Sequence, residues 1–135
     1  MKMSVFQVNK LCRNKTIERL ENAGSKVLWC QLDDTEYDKQ LRLKILEEAQ
    51  EVANALSRDE LISELADVME VIQALCAAYN ISKDEVLAVQ NQKQSERGGF
   101  EERIFIMKVA HQQGSFYEKY YRKDPAKYPE TQEEW

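Results

Sequence analysis

The chain has 135 residues, of which 43% are hydrophobic and 32% are charged, and its formal net charge is −5 at pH 7. This length fits one domain with a modest core, and the acidic balance argues against nucleic acid or an anionic membrane as the main partner. The first residues lack the continuous apolar core of a signal peptide. The most apolar stretch, residues 66–79, still contains Asp67, Glu70 and Gln73, so we expect no membrane span.

The three cysteines and the single histidine lack the spacing of a metal site. Cys12, Cys30 and Cys76 are an odd number, which favours free thiols in a reducing cytoplasm over a disulfide framework. His111 has no neighbouring nucleophile that it could activate, and we expect it to be a surface residue.

The first elements in chain order are a short helix and a strand. A helix at Thr16–Asn22 should end at Gly24, and residues 26–32 read as a strand because Val27 and Trp29 alternate with polar or smaller neighbours. Residues 103–109 are a second β-prone run. The two runs could pair as a minor β-ribbon beside an otherwise all-α body.

A helix-start pattern occurs three times along the chain. In each copy an apolar residue precedes an Asp or Ser cap, Glu follows three positions after the cap, and another apolar residue comes next; the caps are Asp33, Ser57 and Ser82. This is a capping box within a hydrophobic staple. It predicts helices over residues 34–56, 58–79 and Lys83–Arg97, and the last should stop at the two glycines that follow it.

The helix at residues 58–79 is apolar nearly all round after Ala66, so it needs cover on several sides. Few elements of so short a chain could provide that cover. We therefore expect a homodimer or homotetramer that assembles through its helices, with Val71, Leu75 or Ala78 near the contact.

The C-terminal part is polar and differs from the rest in composition. Residues 112–135 contain Pro125 and Pro129 and show no helical period. We expect a domain of residues 1–110 followed by a Tyr-rich tail of residues 111–135, whose aromatic side chains could pack onto the body or onto a second subunit.

Two acidic pairs, Glu48-x-x-Glu51 and Glu64-x-x-Asp67, lie on the two longest predicted helices. A three-residue step puts both members of a pair on one helix face, with Cβ atoms roughly 5–6 Å apart. Across a helical hairpin the pairs would gather four carboxylates. Such a cluster is unfavourable alone, but carboxylate oxygens are what Mg²⁺ and Mn²⁺ prefer. The spacing therefore suggests a divalent metal site.

A solvated acidic face is the alternative interpretation of these pairs. The chain has 24 acidic residues, so pairs at this spacing also arise by chance. Three details favour the metal site: Glu48 interrupts an apolar stripe, the pairs lie on adjacent helices, and Asp67 lies within the most apolar helix. Within the hairpin, Lys and Arg are scarce at positions that could neutralise these acids, apart from Lys44.

These residues resemble the signature of a known family. Glu47-Glu48-Ala49-Gln50-Glu51, followed by Glu64-Leu65-Ala66-Asp67, is similar to the E-E-x-x-E and E-x-x-D motifs of the all-α nucleoside triphosphate pyrophosphatases, which include the MazG-like enzymes and phosphoribosyl-ATP pyrophosphohydrolase. Residues 9–15 resemble an N-K-L-V-R-D-K segment of one branch, with Cys12 and Asn14 as departures, and residues 93–100 match its K-x-x-x-R-G-G-F ending. The resemblance covers about residues 8–107.

The resemblance implies a helical bundle of MazG-like type that uses Mg²⁺, or Mn²⁺, to hydrolyse a (d)NTP to the (d)NMP and pyrophosphate in nucleotide-pool house-cleaning. The implied metal ligands are Glu48, Glu51, Glu64 and Asp67. Glu47 is implied as a base for the attacking water. The implied phosphate contacts are Lys93, Arg97, Lys10 and Arg13. For Lys93 and Arg97, an interaction with the helix C-terminus is an equally good interpretation.

Two other functions fit the same residues. One is hydrolysis of phosphoribosyl-ATP in histidine biosynthesis, which applies the same chemistry to a modified nucleotide. The other is a non-catalytic module for dimerisation or nucleotide sensing. Residues that read the base or sugar follow no spacing pattern in such bundles, so the sequence does not indicate which base or sugar is preferred.

Overall fold

The structure is a computed structural model and describes residues 2–135. The described residues form five helices and contain no β-strand; the helices are α1 (Thr16–Asn22), α2 (Asp34–Asn54), α3 (Arg58–Ala78), α4 (Lys83–Arg97) and α5 (Phe116–Arg122). The all-α fold class is therefore confirmed. None of the described helices is long and apolar enough to cross a membrane. The chain divides into two compact units, Met1–Ser95 and Glu96–Trp135.

The three predicted capping boxes are present. Asp33 accepts a hydrogen bond from the Glu36 N–H at 2.8 Å. Ser57 accepts one from the Glu60 N–H at 3.1 Å, and the Glu60 carboxylate in turn accepts the Leu56 N–H at 2.9 Å. The same reciprocal pair joins Ser82 and Glu85 at the start of α4, with distances of 3.2 and 2.7 Å. These local bonds satisfy the first-turn N–H groups that a helix leaves without partners.

Helices α2 and α3 form an antiparallel hairpin, which is the main helix packing of the first unit. Its small core includes Leu41 of α2 and Val71 of α3, which are 2% and 7% exposed. A polar bridge closes the open end of the hairpin: the Tyr79 hydroxyl donates to Asp38 at 2.5 Å and accepts from Arg42 at 2.8 Å. Val71 is 7% exposed and therefore offers little surface to a second subunit, while the subunit contact near Val71, Leu75 or Ala78 stays a prediction.

The outer face of α3 remains apolar and exposed. Ile62, Leu65, Met69 and Ile72 repeat at alternating steps of three and four, and Met69 is 65% exposed. This spacing puts all four side chains on one stripe of the helix. Helix α4, unlike α3, has no buried residue.

The predicted β-ribbon is wrong. Neither residues 26–32 nor residues 103–109 form a strand, and Leu28 and Phe105 are highly exposed. Arg103 has a left-handed φ of 58°, which interrupts an extended run at its start. A lone two-stranded ribbon is marginal in water, so local β-propensity did not suffice.

The second unit contains a helix that the sequence analysis did not predict. Helix α5 begins after Ser115, which accepts the Glu118 N–H at 3.3 Å, and Glu118 accepts the Gly114 N–H at 3.0 Å. This unit also holds an aromatic cluster, in which Tyr121 stacks on Tyr128 with centroids 4.0 Å apart. His111 is half-buried beside Tyr121, so the expectation of a surface histidine is wrong.

Candidate metal and nucleotide site

The hairpin brings three of the predicted acids together. Glu48 faces α3 from α2, while Glu64 and Asp67 share one face of α3 because they are three residues apart. One carboxylate oxygen from each of the three lies within 4.8 Å of the others. All three residues are half-buried, and the Glu48 side chain is only 12% exposed.

The other two predicted acids lie at the edge of this group. Glu51 is exposed and is not one of the three, although its charge acts on Glu64. Glu47 lies between two lysines, 3.0 Å from the Lys10 ammonium and 3.5 Å from that of Lys44. The three-residue step therefore placed Glu48 and Glu51 on neighbouring positions of α2 without making them equal members of the site.

Cations from the N-terminal segment also reach the acids. The Arg13 guanidinium lies 2.8 Å from Asp67 and 4.0 Å from Glu70. Lys44 contacts Glu48 at 3.4 Å. Among the described residues, the hairpin itself supplies Lys44 to these acids, and the other cations come from residues that are distant in sequence. Within the described part of the chain, Glu64 has no ion pair.

The pKa shifts divide the acids into two kinds. Burial, followed by the charges of Asp67, Glu51 and Glu48, raises the pKa of the Glu64 carboxyl. A hydrogen bond from Lys10 does the opposite at Glu47 and lowers the pKa of that carboxyl. Glu64 is thus a carboxylate that lacks a compensating positive charge, whereas Glu47 already has one. A carboxylate stabilised as the anion is also a weaker base.

The three central carboxylates fit a hard divalent cation. Their donors are all oxygen, they converge on one position, and the member with the raised pKa would gain most from a positive charge. Mg²⁺ in proteins takes a few carboxylates and completes its shell with water and substrate phosphate. The half-buried position also reduces screening by water.

A shallow pocket adjoins this acidic group on the Glu47 side. It is lined by residues of the N-terminal segment and of α2, namely Asn9, Lys10, Leu11, Gln40, Leu43, Lys44 and Glu47. Sequence reasoning missed Gln40 here. The signal was present in its spacing, because Gln40, Lys44 and Glu47 follow one helix face at steps of four and three.

The other predicted phosphate contacts lie at the end of α4. Lys93 and Arg97 are both exposed, and among the described residues neither makes an ion pair or hydrogen bond through its side chain. Lys93 belongs to the first unit and Arg97 to the second. Among the described residues, Lys93 makes no ion pair with the acids of the hairpin.

Comparison with known families identifies the hairpin. The family model described as phosphoribosyl-ATP pyrophosphohydrolase matches residues 17–94, which is more than half of the chain. The match contains α2, α3, the acidic group and Lys93, and it excludes Lys10, Arg13 and Arg97. No curated protein and no solved structure is detectably similar to the chain. With its five helices and its acidic hairpin, the chain belongs to the phosphoribosyl-ATP pyrophosphohydrolase family, which is part of the MazG-like, all-α superfamily of nucleotide pyrophosphohydrolases.

Proposed function

We propose that this protein is a Mg²⁺-dependent nucleoside triphosphate pyrophosphohydrolase that converts a (d)NTP to the (d)NMP and pyrophosphate, and that it serves in nucleotide-pool house-cleaning. The observation that carries the proposal is the half-buried group of Glu48, Glu64 and Asp67, whose oxygens lie within 4.8 Å of one another. Mn²⁺ could replace Mg²⁺, because both prefer carboxylate oxygens.

The acidic residues would have separate roles in metal binding and in activation of water. Glu48, Glu64 and Asp67 would hold the cation, with Glu51 at the edge of the site. A divalent cation supplies charge neutralisation and Lewis acidity at the phosphate oxygens. Glu47 is a weak candidate for the base that positions the attacking water, since Lys10 and Lys44 already pair with it.

Four cations are proposed to contact the phosphates. Lys10 and Arg13 lie directly beside the acidic group, so a short movement would bring them to a bound triphosphate. Lys93 and Arg97 are unpaired at the end of α4 among the described residues, which leaves their charges available. Arginine suits this task because its planar fork grips two oxygens at once.

Phosphoribosyl-ATP is the second candidate substrate, and the family match itself favours it. Both reactions cleave between the α- and β-phosphates and release pyrophosphate, so the same acidic group would serve either. An enzyme that prefers one of these two substrates would have to distinguish them through the residues that surround the base and the sugar.

A substrate panel tests the proposal. The purified chain is incubated with Mg²⁺ and with each common NTP and dNTP or phosphoribosyl-ATP, and pyrophosphate and nucleotide products are quantified, with Glu64→Gln as the inactive control. Turnover of an NTP or dNTP supports the first candidate, and turnover of phosphoribosyl-ATP alone supports the second. Absence of pyrophosphate from every substrate would refute both and favour a nucleotide-sensing module.

We also propose a cytoplasmic homo-oligomer. All three cysteines are free thiols, and Cys12 and Cys30 are exposed, which suits a reducing compartment. The exposed stripe on α3 provides a surface on which two copies could associate.

A further inference from the structure

The N-terminal segment lies outside the hairpin and forms ion pairs with its acids. Residues 8–15 precede α1 and are not helical, and Asn9 has a left-handed φ of 48°. Lys10 and Arg13 of this segment reach across to α2 and α3, respectively. We refer to residues 9–13 as the strap.

The two ion pairs of the strap have good geometry but are exposed to water. The Lys10–Glu47 distance is 3.0 Å and the Arg13–Asp67 distance is 2.8 Å, while the two cationic side chains are 55% and 58% exposed. Exposed ion pairs of this kind contribute little net stability. They are therefore well suited to form and break reversibly.

Arg13 uses one of the three carboxylates that would hold the metal. Its Nη2 donates to Oδ1 of Asp67, and Asp67 belongs to the convergent group with Glu48 and Glu64. A divalent cation at that group would share Asp67 with the guanidinium. Two positive charges on one half-buried carboxylate repel each other, because water screens them incompletely.

We propose that the strap is an internal counter-ion switch: Arg13, supported by Lys10, neutralises the acidic site when no nucleotide is bound and is displaced by the divalent cation. The displaced Arg13, together with Lys10, then binds the phosphates of the incoming nucleotide. This proposal rests on the proposed metal-dependent function and adds a coupling between the two ligands.

The coupling between metal binding and nucleotide binding arises because each ligand changes the charges around the Arg13 and Lys10 side chains. Without nucleotide, a bound cation takes Asp67 from Arg13 and places extra positive charge near both Arg13 and Lys10. With nucleotide, the phosphates give both side chains new acceptors. The nucleotide therefore raises the affinity for the cation, and by reciprocity the cation raises the affinity for the nucleotide.

The first test is calorimetric titration of the full chain with MgCl₂ alone. Arg13→Gln should bind Mg²⁺ on the order of five- to tenfold more tightly than the wild type, a typical size for coupling between sites. Arg19→Gln removes the same charge from α1, where the side chain has no ion pair among the described residues, and should bind like the wild type. Unchanged or weaker Mg²⁺ binding by Arg13→Gln would overturn the proposal, since Arg13 would then merely orient Asp67.

The second test measures the coupling with a non-hydrolysable triphosphate analogue. The analogue should raise the Mg²⁺ affinity of the wild type more than that of Arg13→Gln; equal enhancement would contradict the switch. Far-UV circular dichroism checks the fold of each variant, and if Arg13→Gln does not fold, Arg13→Ala replaces it, because it also removes the guanidinium from Asp67. A wild type that binds no divalent cation would refute the metal-dependent function itself. That outcome differs from a wild type that binds Mg²⁺ as Arg13→Gln does, which refutes only the switch.

Discussion

At the scale of single residues, Glu64 has the least favourable environment of the three central acids. Burial and the charges of Asp67, Glu51 and Glu48 raise its pKa, and it has no ion pair within the described part of the chain. Glu48 and Asp67, by contrast, have Lys44 and Arg13 as partners. A cation at the site would therefore relieve Glu64 more than its two neighbours.

Magnesium should stabilise the folded protein through this residue. A ligand that binds only the native state stabilises it by about 2.7 kcal/mol at a concentration of one hundred times Kd. We expect Mg²⁺ to raise the Tm of the wild type, and Glu64→Gln to lose most of this rise together with turnover. Differential scanning fluorimetry with and without Mg²⁺ measures the shift. Full turnover in excess chelator would contradict the metal-dependent mechanism.

Arg97 provides a test of phosphate binding. Lysine at this position keeps the charge but loses the planar fork, so Arg97→Lys should lower kcat/KM roughly tenfold or more, which equals about 1.4 kcal/mol of transition-state stabilisation. Because Arg97 is exposed at the end of α4, its Tm should change little. Steady-state kinetics with Arg19→Lys as the control separates a local effect from a general one. An unchanged kcat/KM would favour the alternative that Arg97 only interacts with the helix end.

Residue spacing predicted part of the acidic site and could not predict the rest. The three-residue step correctly placed Glu64 and Asp67 on one face of α3. It could not decide between Glu48 and Glu51, because that depends on how α2 is rotated against α3. The counter-ions were equally inaccessible, since Arg13 meets Asp67 only after the chain folds back on itself.

At the scale of elements, helix starts were predictable because their signals are local. A cap and its Glu three residues later specify the first turn without any distant contact. Helix α5 carries the same Ser115–Glu118 signal, and it was missed because the surrounding tail is polar and lacks a helical period. The β-ribbon failed for the opposite reason, since strand pairing depends on residues far apart in sequence.

The stabilising effect of the Tyr79–Asp38 bridge between α2 and α3 should decrease at low pH. Hydrogen bonds, first from Tyr79 and then from Arg42, lower the pKa of Asp38 below its ordinary value near 3.8. An acid with a depressed folded pKa contributes stability above its unfolded pKa and loses it as pH falls through the folded value. Tyr79→Phe should therefore lower the free energy of unfolding at pH 7, and the difference from wild type should shrink below about pH 4.

Urea unfolding at pH 7 and pH 3 measures this difference. Tyr37→Phe is the matched control, because among the described residues the Tyr37 hydroxyl has no hydrogen bond. Phenylalanine keeps the ring and removes only the hydroxyl that bonds to Asp38 and Arg42, so a Tyr79→Phe difference that is the same at both pH values would contradict the link to the Asp38 carboxylate.

At the scale of the whole molecule, the family match and the first compact unit end at nearly the same residue. The match ends at residue 94, close to the end of the first unit at Ser95. The first unit has a small core, with Leu41 and Val71 as its buried hydrophobic residues. The domain limits of 1–110 and 111–135 remain a prediction, because composition marks where polarity changes and does not reveal which contacts form.

The exposed stripe of α3 suggests that a second copy of the chain adds to this small core. Ile62, Leu65, Met69 and Ile72 are all exposed, and they repeat at alternating steps of three and four along one side of the helix. That period suits packing against a second helix, and an exposed apolar patch of this kind marks an interaction site. We therefore predict that two copies of the chain associate through this stripe, which is more exposed than Val71.

Light scattering coupled to gel filtration should find at least a dimer of the 15.8 kDa chain at micromolar concentration. Met69→Lys places a charge in the middle of the stripe and should shift the mass towards the monomer, because an unpaired charge is costly to bury at an interface. Leu28→Lys, on a fully exposed residue outside the helices, is the control and should keep the wild-type mass. Since α3 also carries Glu64 and Asp67, the monomeric variant should melt at a lower temperature and bind Mg²⁺ more weakly. A well-folded wild-type monomer at the same concentration would refute association through α3.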